Sequence, residues 1–148
     1  MSNWGELDFS AFEQWAKQLD KTINEKEAEK MVKRTLIELA SAVLRRTVEK
    51  SPVIMGDLRR GWQIGQVHKT GDYYEIEIFN AVEYAEFVEY GHRQEVGRYV
   101  PTLGKRLKQP FIEGQYMLRL SVMEVEELMP EVLEQRLTEL IGGIFGAD

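Results

Sequence analysis

The side chains that could carry out acid–base or metal chemistry in this chain are few and far apart. Only two histidines occur, His68 and His92, and cysteine is absent. No histidine pair has the spacing of a zinc site, no acidic run follows the pattern of a calcium loop, and no glycine-rich phosphate loop follows a strand. The sequence therefore predicts neither a metal nor a cofactor, and the absence of cysteine excludes thiol catalysis.

Glutamates are abundant, but they fall on predicted helical faces, where a solvated role is the common one. Spatial neighbours need not be sequence neighbours, so a hidden carboxylate pair is the remaining route to catalysis. We expect a protein that is not an enzyme, and we keep a small enzyme as an alternative.

The bulk composition bounds the class of protein. A chain of 148 residues that is 43% hydrophobic can form one domain, residues 1–148, around one core. The net charge of −6 argues against a nucleic-acid binder. The polar first residues do not resemble a signal peptide, and no apolar run approaches the ~20 residues that span a bilayer. We therefore expect a cytoplasmic protein with no membrane partner.

The charge is unevenly distributed along the chain. Residues 91–110 carry a net charge of +4, whereas residues 111–148 carry −6. The basic residues of the first segment are Arg93, Arg98, Lys105, Arg106 and Lys108. A basic segment in an acidic protein is either a solvated loop or a surface that faces something negative, such as DNA or an acidic neighbouring subunit.

Periodicity predicts three helices in the N- and C-terminal thirds of the chain. An amphipathic helix is expected at residues 8–22, within an N-terminal segment 1–24, and a long helix at 25–49 that Pro52 prevents from continuing. A second long helix is expected at 114–141. Pro130 should kink or divide it, and Gly142-Gly143 should end it.

The middle of the chain predicts a small sheet. Residues 62–68 and 73–79 read as an antiparallel hairpin with a turn at 69–72, and residues 82–90 as a short helix that Gly91 ends. Residues 91–113 show no clear period and are interpreted as a long basic loop, with a short edge strand at 99–101. The expected fold is α+β, with the two long helices packed on a small antiparallel sheet that contains the hairpin.

Two compact motifs stand out, Ser51-Pro-Val-Ile-Met-Gly-Asp-Leu-Arg-Arg-Gly-Trp62 and Tyr84-Ala-Glu-Phe-Val-Glu-Tyr-Gly91. Structural roles are expected for six residues, namely Pro52, Gly56, Leu58, Trp62, Ala85 and Gly91. A subunit interface is the hypothesis for Arg59, Arg60, Tyr84, Phe87, Glu89, Tyr90, His92, Arg93, Arg98, Lys105 and Arg106. A carboxylate on an aromatic face favours a cation, so Glu89 is expected to pair with Arg59, Arg60 or Arg93, either within one subunit or between subunits.

These motifs resemble those of the siphophage gene-ten-like tail-component family. The first is similar to the family element "[ST]-P-V-x-T-G-x-L-R", and the second to "Y-A-x-x-V-E-Y-G", which His92-Arg93 extends. The family's long helix, hairpin, short helix and C-terminal helix occur here in the same order, over most of residues 25–141. One departure is Met55, where the family usually has threonine, so a hydroxyl that could bond the turn backbone is lost.

The resemblance implies a structural protein of a phage or phage-tail-like particle. Its expected place is a ring at the head–tail junction or tail end, as a tail-completion, terminator or neck protein assembled in the bacterial cytoplasm. Six-fold symmetry would match a tail tube, and twelve-fold symmetry a portal-side head–tail adaptor. Its partners would be copies of itself, the tail tube and the connector, with non-specific contact to DNA in the channel. A DNA-binding regulator, for instance of a toxin–antitoxin system, is a further alternative.

Overall fold

Two long helices frame the structure. The computed structural model describes residues 14–15 and 25–144. Its helices are α1 (Glu25–Lys50), α2 (Gly56–Gly61), α3 (Ala85–Tyr90) and α4 (Met117–Ile144). Its strands are β1 (Trp62–Ile64), β2 (His68–Thr70), β3 (Tyr73–Glu75), β4 (Ile78–Asn80), β5 (Gly91–Arg93), β6 (Tyr99–Val100), β7 (Lys105–Arg106) and β8 (Phe111–Glu113). The predicted α+β class is confirmed.

The core lies between α1 and α4. The inward face of α1 is at most 3% exposed at Ala28, Val32, Leu36, Leu39 and Val43, and α4 buries Met117, Val122, Val125, Met129 and Leu133 against it. Burying each of the larger side chains is worth about 1.5–3 kcal/mol, so this contact supplies much of the stability. The predicted helix at 8–22 lies mostly outside the described residues, although Gln14 and Trp15 are helical and Trp15 is buried in this core.

Ion pairs join the two long helices at their solvent edges. Lys50 and Arg46 of α1 both bind the carboxylate of Glu124 in α4, at 2.9 and 3.1 Å. The hydrogen bonds from Lys50 and Arg46 hold the pKa of Glu124 below its ordinary value. Because the folded-state pKa is lowered, this pairing stabilises the fold at neutral pH and is lost as the pH falls through the carboxyl range.

Helix α4 runs further than the sequence predicts. It continues through Pro130 without a break and passes through Gly142-Gly143 to Ile144, so the predicted stop at the glycines is wrong. Glycine costs a helix interior only about 1 kcal/mol relative to alanine, which is too little to end a helix by itself. Gly142 has no positive φ to reverse the chain.

The predicted hairpin is present with a shifted register. Strand β1 pairs with β4 through Gln63 and Phe79, and β2 pairs with β3 through Lys69 and Tyr74. Three residues separate β1 from β2 but only two separate β3 from β4, so one extra residue bulges between the ladders. The turn is the two-residue Gly71-Asp72, with Gly71 at φ 61°, and residues 69 and 70 belong to β2.

The expected long loop at 91–113 is instead a second β-hairpin. Strand β5 pairs with β8, and β6 with β7, both antiparallel. Backbone hydrogen bonds from Gln94 to Pro110 and from Gly97 to Leu107 continue the pairing between the two ladders. Of the four strands in this hairpin, only β6 coincides with a prediction, the edge strand at 99–101. We call residues 91–113 the arm.

The turn between α1 and α2 is organised by Ser51. The Ser51 hydroxyl donates to the Thr47 carbonyl and accepts the indole N–H of Trp62, both at 2.8 Å, and both Ser51 and Trp62 are buried. Pro52 follows the end of α1, as predicted, and Leu58 and Trp62 lie in the core. Met55 is the N-cap residue of α2 and makes no side-chain capping bond, as the missing hydroxyl implies.

We predict that Ser51→Ala destabilises the fold by about 1–2 kcal/mol, because the buried indole loses this hydrogen-bond acceptor. Ser121→Ala is the matched control. Ser121 is also buried and also donates to the carbonyl four residues earlier, that of Met117. Urea denaturation of both variants measures the difference, and an equal loss in the two would contradict the role given to Ser51.

Candidate functional site

The second motif forms α3 and places three aromatic side chains at the surface. Ala85 is fully buried and anchors the helix in the core. Tyr84, Phe87 and Tyr90 are 41%, 57% and 37% exposed. The Phe87 ring meets the His92 ring edge-on, with centroids 5.8 Å apart. The aromatic residues expected at an interface are therefore at the surface, at the base of the arm.

Glu89 is buried and caps the N-terminus of α4. Its carboxylate accepts the backbone N–H groups of Leu118 and Arg119 at 3.0 and 2.9 Å, and the residue is 1% exposed. A helix N-terminus offers free N–H donors and a positive dipole end, which together stabilise a carboxylate. Within the described residues Glu89 forms no ion pair with these arginines, because the N-terminus of α4 supplies the positive charge that a cation would have supplied.

Gly91 ends α3 with φ 81° and ψ 175°. The predicted end of the helix at Gly91 is confirmed, and its positive φ is combined with an extended ψ, so the conformation is not left-handed helical. This region of backbone space is essentially restricted to glycine. A Cβ here would overlap the Ile112 carbonyl oxygen and lie 2.8 Å from the Gly114 nitrogen. Gly91 therefore sends the chain out of the helix and directly into β5.

The two ends of the arm meet at one junction. Gly114 faces Gly91 so closely that a Cβ on Gly114 would overlap the Glu89 carbonyl oxygen. The Gln115 and Tyr116 N–H groups donate to the carbonyls of Val88 and Glu89 at 2.8 and 3.0 Å. Tyr116 takes a positive φ of 49° as the chain turns into α4. Helix α3, the base of the arm and the start of α4 are thus fixed to one another.

The arm beyond this junction has no buried residue. Val96, Tyr99 and Leu103 are 52–63% exposed. The Arg106 guanidinium donates to the Gly97 carbonyl at 2.8 Å and lies 6.0 Å from the centre of the Tyr99 ring. The arm therefore presents apolar and cationic groups together.

The remaining predicted interface residues divide between the arm and α2. Arg93, Arg98 and Lys105 are exposed on the arm. Arg59 donates to the Val48 carbonyl at 3.3 Å, and exposed Arg60 pairs with Asp57 of its own helix at 2.6 Å. The arginines of α2 thus have partners within the chain, and an interface role for them stays a prediction.

Burial raises the pKa of Tyr90, and the neighbouring carboxylates Glu89 and Glu86 add to the effect. The Tyr90 phenol therefore remains a neutral hydrogen-bond donor at physiological pH. Arg119 opposes the shift and also lies over the Tyr116 ring, at 5.7 Å from its centre. An arginine set between tyrosines at the base of the arm suits protein recognition, since Tyr and Arg are enriched at interfaces.

Residues 14–15 and 25–144 contain no group of three His, Cys, Asp or Glu side chains placed to hold a metal ion. None of the helices within these ranges is long and apolar enough to cross a membrane.

The sequence analysis did not identify one exposed surface, the outer face of α4. This face is defined by Leu120, Met123, Glu127, Glu131 and Glu134 on one side of the helix. Leu120 and Met123 are 44% and 50% exposed on that face, and Glu127, Glu131 and Glu134 follow on the next turns. The only signal that could have identified it was the recurrence of these residues every three or four positions, opposite the buried stripe of the same helix.

A family model described as "Bacteriophage HK97-gp10, putative tail-component" matches residues 13–91, just over half of the chain. The match ends at Gly91, so the arm beyond its first residue and all of α4 lie outside it. No curated protein and no solved structure matches the chain.

Proposed function

The chain belongs to the HK97-gp10-like family of bacteriophage tail components, and we propose that it is a non-enzymatic structural subunit that closes into a ring of identical copies. The ring sits at the head–tail junction or at the tail end, as a tail-completion, terminator or neck protein. It contacts the tail tube and the connector, and it forms part of the phage particle after assembly in the host cytoplasm.

The observation that carries this proposal is the exposed arm. A two-stranded hairpin is marginally stable in water unless something covers it. None of residues 91–113 is buried, and large apolar side chains are exposed along the arm. A single chain therefore offers a protruding element whose apolar surface is best accounted for by contact with another protein.

The base of the arm supports the same conclusion. Tyr84, Phe87 and Tyr90 form an exposed aromatic surface beside it, and tyrosine and phenylalanine are enriched in the cores of protein interfaces. The Gly91–Gly114 junction holds the arm in a fixed direction relative to the core. A rigidly mounted interface loses less conformational entropy on binding than a flexible one.

Ring closure follows from the use of two different surfaces on each subunit. When one patch binds a different patch on the next copy, repeated contacts generate a ring if the rotation closes. Six copies would match a tail tube, and twelve would suit an adaptor on the portal side. The basic arm would also tolerate DNA in the central channel, since its net charge is opposite to that of the phosphates.

We predict that reversing four arm charges abolishes oligomer formation but leaves the chain folded. The variant changes Arg93, Arg98, Lys105 and Arg106 to glutamate. Exposed charge pairs contribute little individually, so single changes should have small effects, whereas four reversals repeated around a ring add substantial repulsion. Circular dichroism checks the fold, and native mass spectrometry and sedimentation measure the number of copies.

The matched control reverses four exposed basic residues of α1, namely Lys26, Lys30, Arg34 and Arg45. It has the same net charge as the arm variant and should still assemble. A wild-type protein that remains monomeric at tens of micromolar, alone and with its tail partners, would refute the ring. Normal assembly of the arm variant would show that the arm charges are only solvated.

A further inference from the structure

We propose that the outer face of α4 is the docking surface for the arm of a second copy of this chain. The inference rests on the proposed ring and adds the identity of the receiving surface. The outer face is defined by five residues on one side of the helix: Leu120, Met123, Glu127, Glu131 and Glu134.

The upper part of this face is apolar. Leu120 and Met123 are three positions apart and lie opposite the side of α4 that buries Val122, Val125 and Met129. Leu128, 42% exposed, flanks them. Leu120 and Met123 are neighbours on the helix surface, and Leu128 lies about two turns beyond Leu120, so α1 leaves all three partly uncovered. They match the exposed apolar side chains of the arm, Val96, Tyr99 and Leu103.

The lower part of the face is acidic and electrostatically unsatisfied. Glu127, Glu131 and Glu134 are exposed, and within the described ranges none of them forms an ion pair. The glutamates at the edges of the helix behave differently, because Glu124 binds Arg46 and Lys50, and Glu139 binds Arg136. In the part of the chain that the structure describes, these three carboxylates therefore have no cationic partner.

The arm carries cations at a matching spacing. Glu127 and Glu134 are seven residues apart, which is about 10 Å along a helix. On the arm, Lys105 lies opposite Val100, and Arg106 opposite Tyr99. Arg98 is two residues before Val100, or about 7 Å along the strand. Because side chains alternate along a strand, Arg98 and Lys105 share one face of the hairpin, and Arg106 lies with Tyr99 on the other. Arg98 and Lys105 thus span a length similar to that of the acidic strip.

Both surfaces are exposed in the structure of a single chain, so a contact between them would join two copies. The arm and the outer face of α4 are different patches, and pairing them between successive subunits is the head-to-tail contact that a ring requires. DNA could bind the cations of the arm, but it would leave the apolar residues of both surfaces uncovered. A second copy satisfies the apolar and the charged parts together.

The test is a charge exchange between the two surfaces. The arm variant carries Arg98→Glu, Lys105→Glu and Arg106→Glu, and the helix variant carries Glu127→Lys, Glu131→Lys and Glu134→Lys. Each should assemble at least tenfold more weakly than wild type, as measured by sedimentation and native mass spectrometry. An equimolar mixture should assemble again into alternating rings with an even number of copies, because each reversed surface then faces its opposite.

A control variant makes the same charge change as the helix variant, but on exposed residues of the first hairpin, and it should assemble normally. It carries Asp72→Lys, Glu75→Lys and Glu77→Lys. If the wild type itself stays monomeric, the ring fails and this inference fails with it. If the wild type assembles and the helix variant does too, only this docking surface is wrong. DNA would be the target of the arm if two results are found together. The mixture fails to assemble, and the arm variant alone loses binding to a short DNA duplex.

Discussion

Gly91→Val should destabilise the fold by more than about 3 kcal/mol and should give the largest loss of any single substitution considered. Two costs add. The backbone at φ 81° and ψ 175° is a region that side-chain-bearing residues avoid, at about 1–3 kcal/mol. A Cβ would also overlap the Ile112 carbonyl oxygen, so either the β5–β8 pairing or the end of α3 has to shift. Differential scanning calorimetry measures the loss directly.

Gly142→Ala is the control for the cost of adding a side chain to glycine. Gly142 lies within α4, has no atom within 4 Å of an added Cβ, and has no positive φ. Alanine favours a helix over glycine by about 1 kcal/mol, so this variant should be as stable as wild type or slightly more stable. Equal melting temperatures for Gly91→Val and wild type would show that the junction does not require glycine.

The prediction from sequence succeeded where one face of an element is buried. Helix α1 and the first hairpin place apolar residues at regular intervals, because one side of each element packs on the core. Val32 and Val43 are on the buried side of α1. The arm escaped prediction for the opposite reason. None of its strands is buried, and both residues of β7, Lys105 and Arg106, are exposed, so apart from the edge strand at 99–101 no apolar alternation indicates a strand.

The role of Glu89 could not be read from the sequence because it depends on a contact across 29 residues. Glu89 follows the pattern of an exposed helical glutamate next to aromatic side chains, and nothing nearby in the chain identifies its partner. The partner is a set of backbone N–H groups at the start of α4. Almost every residue type has a backbone N–H, so the sequence does not show which of these groups bind a side chain. The role of Gly91 at the end of α3 could be predicted from the sequence, because glycine adopts backbone conformations that other residues avoid.

The second large effect is expected for Glu89→Ala, at about 2–4 kcal/mol. The substitution leaves the N–H groups of Leu118 and Arg119 without their acceptor at a largely buried helix end. Losing hydrogen bonds to a charged group costs about 1.5–3 kcal/mol, and the helix dipole loses its compensating charge as well. The stability of Glu89→Gln should lie between those of Glu89→Ala and wild type, because glutamine has a similar shape to glutamate and its amide retains one acceptor oxygen.

Glu86→Ala is the control, because Glu86 belongs to the same helix and is exposed. It should change stability by less than about 0.5 kcal/mol. Hydrogen exchange adds a local measurement. The amides of β5 and β8 should exchange faster in Glu89→Ala than in Glu86→Ala, since the cap also holds the base of the arm. Wild-type stability in Glu89→Ala would contradict the capping role.

Protein concentration separates a cap from a subunit contact at Glu89. Assembly stabilises the folded state by mass action, so a defect in a subunit contact is absent from the dilute monomer and lowers the stability only at concentrations at which the wild type assembles. A defect in the cap is a property of the folded chain itself and persists at every concentration. With the carboxylate 1% exposed and bonded within its own chain, we expect Glu89→Ala to lower the free energy of unfolding equally in dilute monomer and in the assembled ring. A loss seen only in the ring would instead place Glu89 at the interface between subunits.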